Sequence, residues 1–289
     1  MRFATFNDNH GSRLGVIDGT DVIDVGAGDT THPQLLDIIS GQRSFAAIAE
    51  AAASSKSRHP LSGVRLLAPL IPRKNVFAVG RNYFEHVREG AEFRQAKAEA
   101  PEVPVFFTKA PTAVTGPGDV ALPSVTAQFD WEAELAVIIG RRGRDIPAER
   151  ALDHVFGYAA ANDLTARDLQ FRHTQWFKGK SLDGSCPLGP WVVTADEVND
   201  PQSLDIECRV NGQVKQKSNT SQMIFSVAQI IEALSAGLTL EPGDVILTGT
   251  PEGVGFARKP PEFLQEGDTV EVAIERVGTL TNALIAEDR

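Results

Sequence analysis

The sequence predicts a mainly β, α+β protein with a small α/β portion at its N-terminus. Three observations carry this expectation. From Val76 onward, nine short apolar or β-branched runs follow one another with turn residues between them. Helical signatures are few in that region and do not alternate with the strands, which argues against repeated βα units. Composition, at 42% hydrophobic and 23% charged over 289 residues, is that of a globular chain long enough for one large domain, or one domain with an appendage.

Residues 1–70 are the expected appendage. "RLGVIDGTDVIDV" reads as a hairpin turning at Asp18-Gly19. "HPQLLDIISG" and "SFAAIAEAAASS" read as helices, the first stopped by Gly41. "LLAPLIPRKN", with Pro69 and Pro72, marks a boundary, so residues 71–289 form the expected catalytic domain.

In that domain the expected strands are "NVFAVG", "VPVFF", "WEAELAVIIG", "FGYAAAND", "PWVVT", "LDIECRV", "DVILTG", "TVEVAIERV" and "LTNALI". Asn211-Gly212 predicts a type I′ hairpin between "IECRV" and "QVKQK". Ser226 and Gln229 predict a capping box for a helix with an apolar face of Val227, Ile230, Ile231 and Leu234, ended by Gly237. "AERALDHV" predicts a shorter helix after Pro147. Residues 85–104 are charged, Ala-rich and poor in large apolar side chains, which fits a mobile cover over a site or a solvated surface helix.

Several function classes fall away. A net charge of −10 with no basic run disfavours a nucleic-acid partner. No apolar run is long enough to span a bilayer, and the first residues lack a signal-peptide core, so a cytoplasmic protein with no membrane partner is expected. Cys186 and Cys208, with no C-x-x-C, are expected as small core residues. "KGKS" at 178–181 lacks the leading glycine of a P-loop, and "GTPEGVG" at 249–255 lacks the dinucleotide-binding order. The histidines show no zinc spacing.

"QFDWEAELAVIIG" places Asp130, Glu132 and Glu134 at alternate positions, hence on one face of a single strand. Such a row is either a solvated charged edge or a site where a hard divalent cation, Mg²⁺ or Mn²⁺, turns repulsion into coordination. A further oxygen ligand is then needed. Asp163, at the Asn-Asp end of "AAANDLTARDLQ", is the candidate; its plain alternative is a helix N-cap.

Taken together, "FAVGRNYFEHVREG", "FDWEAELAVIIG", "ANDLTARDLQ", "WFKGKSLDGSCPLGPWVV" and "QMIFSVAQIIEALSAGLTLEPGDVILTGTPEGVG" resemble the fumarylacetoacetate hydrolase family over about residues 70–289. The resemblance implies a mixed β-sandwich roll and, commonly, a homodimer. It implies Glu132, Glu134 and Asp163 as the Mg²⁺ or Mn²⁺ ligands, with Asp130 beside them and not a usual ligand. It implies that His86 and Glu89 sit on a lid helix and activate water, and that Lys180 lies by the metal. Arg167 and Gln170 match pocket-lining positions. Arg81, Tyr83, Gly249 and Thr250 match positions near the bound acid.

The implied substrate is a small anionic 2-oxo or 1,3-dioxo acid, and the implied chemistry passes through a stabilised enolate. The leading expectation is a hydrolase cleaving a C–C bond in an acylpyruvate-type acid. An oxaloacetate-type decarboxylase, a diene-dioate isomerase and a non-catalytic 2-oxo acid-binding scaffold are the alternatives. The sequence does not identify the acyl group.

Overall fold

The computed structural model describes residues 1–7, 11–27 and 33–287. Among them, twelve strands build one large mixed sheet and five build a second sheet. The nine expected strands are all present, from Val76–Gly80 to Gly278–Ala286. The mainly β, α+β reading therefore holds.

The strand Ala133–Ile139 lies at the centre of the large sheet. It pairs antiparallel with Val155–Asn162 on one side and with Val245–Leu247 on the other. Its residues divide between two cores. Leu135, Val137 and Ile139 pack with Ile206, Val272 and Leu280 of the second sheet and with Ile230, Ile231 and Leu234. Ala136 and Ile138 pack with Leu35, Ile38, Ile39 and Ile48 on the opposite side. Burial on both faces is why this run is continuously apolar instead of alternating.

The N-terminal strands extend the same sheet. Arg2–Asn7 pairs antiparallel with Cys186–Thr194 and with Ser12–Asp18, and the hairpin to Asp21–Asp24 turns through Gly19 in the left-handed region. The helices Leu35–Ile39 and Phe45–Ser54 cover the far face of the large sheet. His32, the first residue of the run read as the earlier helix, lies outside the described residues.

Two further turn readings are met. Asn211 and Gly212 both have positive φ, as the two central residues of a type I′ turn require. The helix Val227–Ser235 carries the Ser226–Gln229 capping box. "AERALDHV" makes only the single turn Ala148–Ala151, followed by a 3₁₀ turn over Leu152–His154. The 85–104 segment is helical only at its start, over Phe84–Phe93, with Val87, Gly90 and Ala91 buried. No helix among the described residues is long and apolar enough to cross a membrane.

The sheet also curls. Its edge strand, Val105–Lys109, leads into Val114–Thr115, which runs parallel to Cys186–Pro187. The far edge of the sheet thus returns to its middle, which brings Lys109 to Asp163.

Candidate metal and active site

The site gathers at one end of the central strands. Val76–Gly80 and Val245–Leu247 are parallel and both run toward it. Ala133–Ile139 starts there and Val155–Asn162 finishes there. Continued backbone pairing then places the acids. The Glu132 N–H donates to Asn162 Oδ1 at 2.9 Å, and the Asp163 N–H donates to the Glu132 carbonyl at 2.8 Å. Glu132 and Asp163 are thereby opposed just past the ends of the two strands.

One carboxylate oxygen each from Glu132, Glu134 and Asp163 lies within 4.8 Å of the others, and all three side chains are buried. The expected third acid of the row does not join them. The strand breaks at Trp131 and Glu132, so Asp130 belongs to a separate short pairing of Phe129–Asp130 with Thr165–Ala166. Asp130 accepts instead from the backbone N–H groups of Gly255 and Phe256 and from Arg167 Nε at 2.8 Å. The expectation that Asp130, Glu132 and Glu134 share one strand face is thus corrected. Asp163 is not a helix N-cap either: its two oxygens receive Lys109 Nζ and Lys180 Nζ, each at 2.6 Å.

The buried charges are nearly matched. Lys180 Nζ also reaches Glu132 at 2.7 Å, and Arg167 Nη1 holds the other Glu132 oxygen at 2.7 Å. Burial opposes the Glu132 charge, yet Lys180 and Arg167 beside it bring its carboxyl below the usual range, to about 2. Glu134 differs. It accepts the Gly249 N–H at 2.6 Å but forms no ion pair among the described residues. Burial, then the charges of Asp163 and Glu132, push its carboxyl well above the usual range.

A hard divalent cation fits this donor set. Three buried carboxylates are oxygen ligands suited to Mg²⁺ or Mn²⁺. Glu134 is the acid that the side-chain cations leave uncompensated, and Lys180 and Arg167 occupy other lone pairs without exhausting them.

A cavity of about 270 Å³ opens beside the triad. Arg81, His86, Glu132, Glu134, Arg167, Gln170, Lys180 and Thr250 line it. His86 and Glu89 stand three residues apart on the Phe84–Phe93 helix, with Glu89 Oε1 2.8 Å from His86 Nδ1. The second Glu89 oxygen accepts the Gly253 N–H at 2.8 Å, which ties the helix to the loop after Val245–Leu247. Glu89 is therefore a support behind the histidine, leaving the other ring nitrogen uncommitted.

Of the expected residues, Gly249 and Tyr83 do not line the cavity. Gly249 reaches the site through its backbone N–H on Glu134. Tyr83 is 1% exposed, and its hydroxyl has no hydrogen-bond partner. Arg167 Nη1 donates to Gln170 Oε1 at 3.1 Å, and the Phe256 ring stacks 4.5 Å from its guanidinium carbon. Arg167 Nη2 is buried without a partner.

Other contributors were not legible in advance. Lys109 is fully buried on Asp163 and the Leu164 carbonyl. Its one trace in the sequence is a lysine closing the apolar strand "VPVFFTK". Asn82 ties the site loops together, donating to the Thr248 and Phe225 carbonyls and accepting the Phe225 N–H. Arg94, Phe107, Phe171, Trp176 and Phe256 also line the cavity.

A rolled mixed sheet with a buried acidic triad at its strand ends, and a His–Glu pair on the helix beside the same cavity, frames a pocket whose three acids could hold a divalent cation. The fumarylacetoacetate (FAA) hydrolase C-terminal family model matches residues 75–285, and the chain belongs to that family of enzymes. A Bacillus subtilis relative, oxaloacetate tautomerase YisK, is 50% identical over 230 residues, covering 78% of this chain and 75% of that protein. Among solved structures, a fumarylacetoacetate hydrolase from psychrophilic Exiguobacterium antarcticum is 43% identical, with a TM-score of 0.86 over 99% of this chain and 100% of that one. A maleylpyruvate hydrolase from Sphingobium sp. SYK-6, in complex with manganese(II) ion and pyruvate, is 33% identical, with a TM-score of 0.80 and full coverage of both chains.

Proposed function

We propose that this enzyme is a divalent-cation-dependent tautomerase that interconverts the keto and enol forms of oxaloacetate. The observation that carries the reading is the convergence of the acidic triad and the His86–Glu89 pair on one small cavity. The name of the Bacillus subtilis relative directs the choice of substrate.

Tautomerisation moves one proton from C3 to the C2 oxygen, breaks no carbon–carbon bond and consumes no water. A cation held by Glu132, Glu134 and Asp163 would supply Lewis acidity for the oxygen charge that develops. In the enol direction His86 takes the C3 proton through the nitrogen that Glu89 does not engage and passes it to the C2 oxygen, and in the keto direction it carries the proton back from that oxygen to C3. Glu89, anchored on Gly253, fixes the orientation of the ring. Burial works against the Lys180 charge, but Asp163 and Glu132 raise its value and keep it a cation, able to steady negative charge on the substrate. Arg167 and Gln170 orient the acid. Phe107 lies 5.0 Å from Lys180, and with Phe256 it keeps water from the cations.

The same His–Glu pair supports a second reading, hydrolysis of an acylpyruvate by a water held at His86. The test is product analysis with Mg²⁺. Tautomerisation of enol-oxaloacetate speeds loss of the enol absorbance and leaves the carbon skeleton whole. Decarboxylation would give pyruvate, and hydrolysis would give acetate and oxalate. An acylpyruvate cut much faster than the enol disappears would favour the hydrolase, and binding without any conversion would favour a scaffold.

A further inference from the structure

We infer that Arg94 reads the distal carboxylate of a dicarboxylic 2-oxo acid and so sets the enzyme's preference over monocarboxylic 2-oxo acids. The inference rests on the oxaloacetate reading above and adds a residue that no family motif supplied.

Arg94 is the C-cap residue of the Phe84–Phe93 helix. Its guanidinium folds back over Gly90: a Cβ built on Gly90 would lie 3.2 Å from Arg94 Nη2. Glycine at that position leaves the helix surface open for the guanidinium, which lines the same cavity as Glu132 and Glu134. Its neighbour Arg88 pairs with Glu85 at 2.5 Å. Arg94 has neither a side-chain hydrogen bond nor an ion pair among the described residues.

Two more arginines that line the cavity have a guanidinium nitrogen without a partner. Arg81 Nε is buried without a partner, although its Nη2 donates to the Glu99 carbonyl at 2.9 Å. Arg81 also holds a left-handed backbone at φ 60°, an uncommon conformation for a non-glycine residue that the fold keeps at the cavity wall. Arg167, 2% exposed, leaves Nη2 unpaired. Arg94 is exposed at its rim position, and desolvation, followed by the nearby Arg81 charge, lowers its value.

The cavity is therefore bipolar. Its floor is carboxylate-lined and suited to a cation with the 2-oxo acid end of the substrate. Its helix side is guanidinium-lined and suited to a second anion. A volume of about 270 Å³ admits a small acid that spans both. A carboxylate matches the forked donors of arginine.

Calorimetric binding of pyruvate and of oxaloacetate, with Mg²⁺ present, tests this in wild type, Arg94→Gln and Arg94→Lys. Wild type should prefer oxaloacetate. Arg94→Gln should weaken oxaloacetate binding about tenfold, since the site is partly open to solvent, and leave pyruvate within about twofold. Arg94→Lys should fall between, having the charge but not the fork. Equal weakening of both acids would overturn the inference in favour of a structural role for the helix end. Unchanged oxaloacetate binding in Arg94→Gln, or a wild type without preference, would overturn it too. Binding needs no turnover. An Arg94-dependent preference in a protein that fails to tautomerise oxaloacetate would sustain the inference and defeat the reaction.

Discussion

Glu89 and His86 form a supported pair: one Glu89 oxygen lies 2.8 Å from His86 Nδ1, and the other is fixed by the Gly253 N–H. A free carboxylate on an exposed helix would have no such anchor. Positioned proton transfer contributes about 10²–10⁴-fold. His86→Ala should lower tautomerisation by that range and leave Mg²⁺ affinity unchanged. Glu89→Gln should cost less, because it removes the charge and one of the two acceptors that orient the ring but leaves the base itself in place. Rates and metal titrations of the two variants check both statements. A His86→Ala enzyme at wild-type rate would remove the histidine from the chemistry.

Lys109 predicts a coupling between stability and metal. It is a buried cation on Asp163, so Lys109→Met leaves an acid short of charge, a loss of about 3–5 kcal/mol for a broken buried pair. A divalent cation at the triad would restore positive charge nearby. Mg²⁺ should therefore raise the melting temperature of Lys109→Met by more than it raises that of the wild type. Equal increments would separate Lys109 from the metal site.

Glu134 predicts a pH dependence with a definite sign. Its unfolded value is near 4.5 and its folded value is raised by burial, Asp163 and Glu132. The metal-free folded state then binds more protons, so the contribution of Glu134 to stability is full below about 4.5 and is lost as pH rises through the raised value. Glu132 acts oppositely: its contribution is present above 4.5 and is lost as pH falls toward about 2. Metal-free Glu134→Gln should thus gain on wild type in melting temperature as pH rises above about 4.5. A difference that stays constant as pH rises from there to neutrality would refute the assignment.

The sequence displayed the site unevenly, for physical reasons. Glu132, Glu134 and Asp163 could be found because strand alternation and an Asn-Asp strand end are local patterns. Asp130 obeyed the same alternation yet leaves the shared face, because the break at Trp131 and Glu132 is set by pairing with Asn162 and Asp163, which is not local; its place beside the triad, which it reaches through Arg167, was implied by the family resemblance alone. Lys109 was invisible because only the curl of the sheet carries it to Asp163. The N-terminal hairpin and helices were legible as elements. That their strands would extend the central sheet was not, because the Arg2–Asn7 strand meets Cys186–Thr194 across most of the chain length. Arg94 lay in a charged run whose composition fits a solvated helix equally well.

The central claim is that Glu132, Glu134 and Asp163 hold a divalent cation on which enol–keto conversion depends. Its most direct test follows enol-oxaloacetate decay in chelator-treated enzyme before and after Mg²⁺ is added back, with the carbon products identified. Chelator-treated enzyme should give little acceleration, Mg²⁺ should restore it fully but not in Glu134→Ala, and oxaloacetate should be recovered intact. Full acceleration by metal-free enzyme, or by Glu134→Ala, would contradict this dependence on the metal.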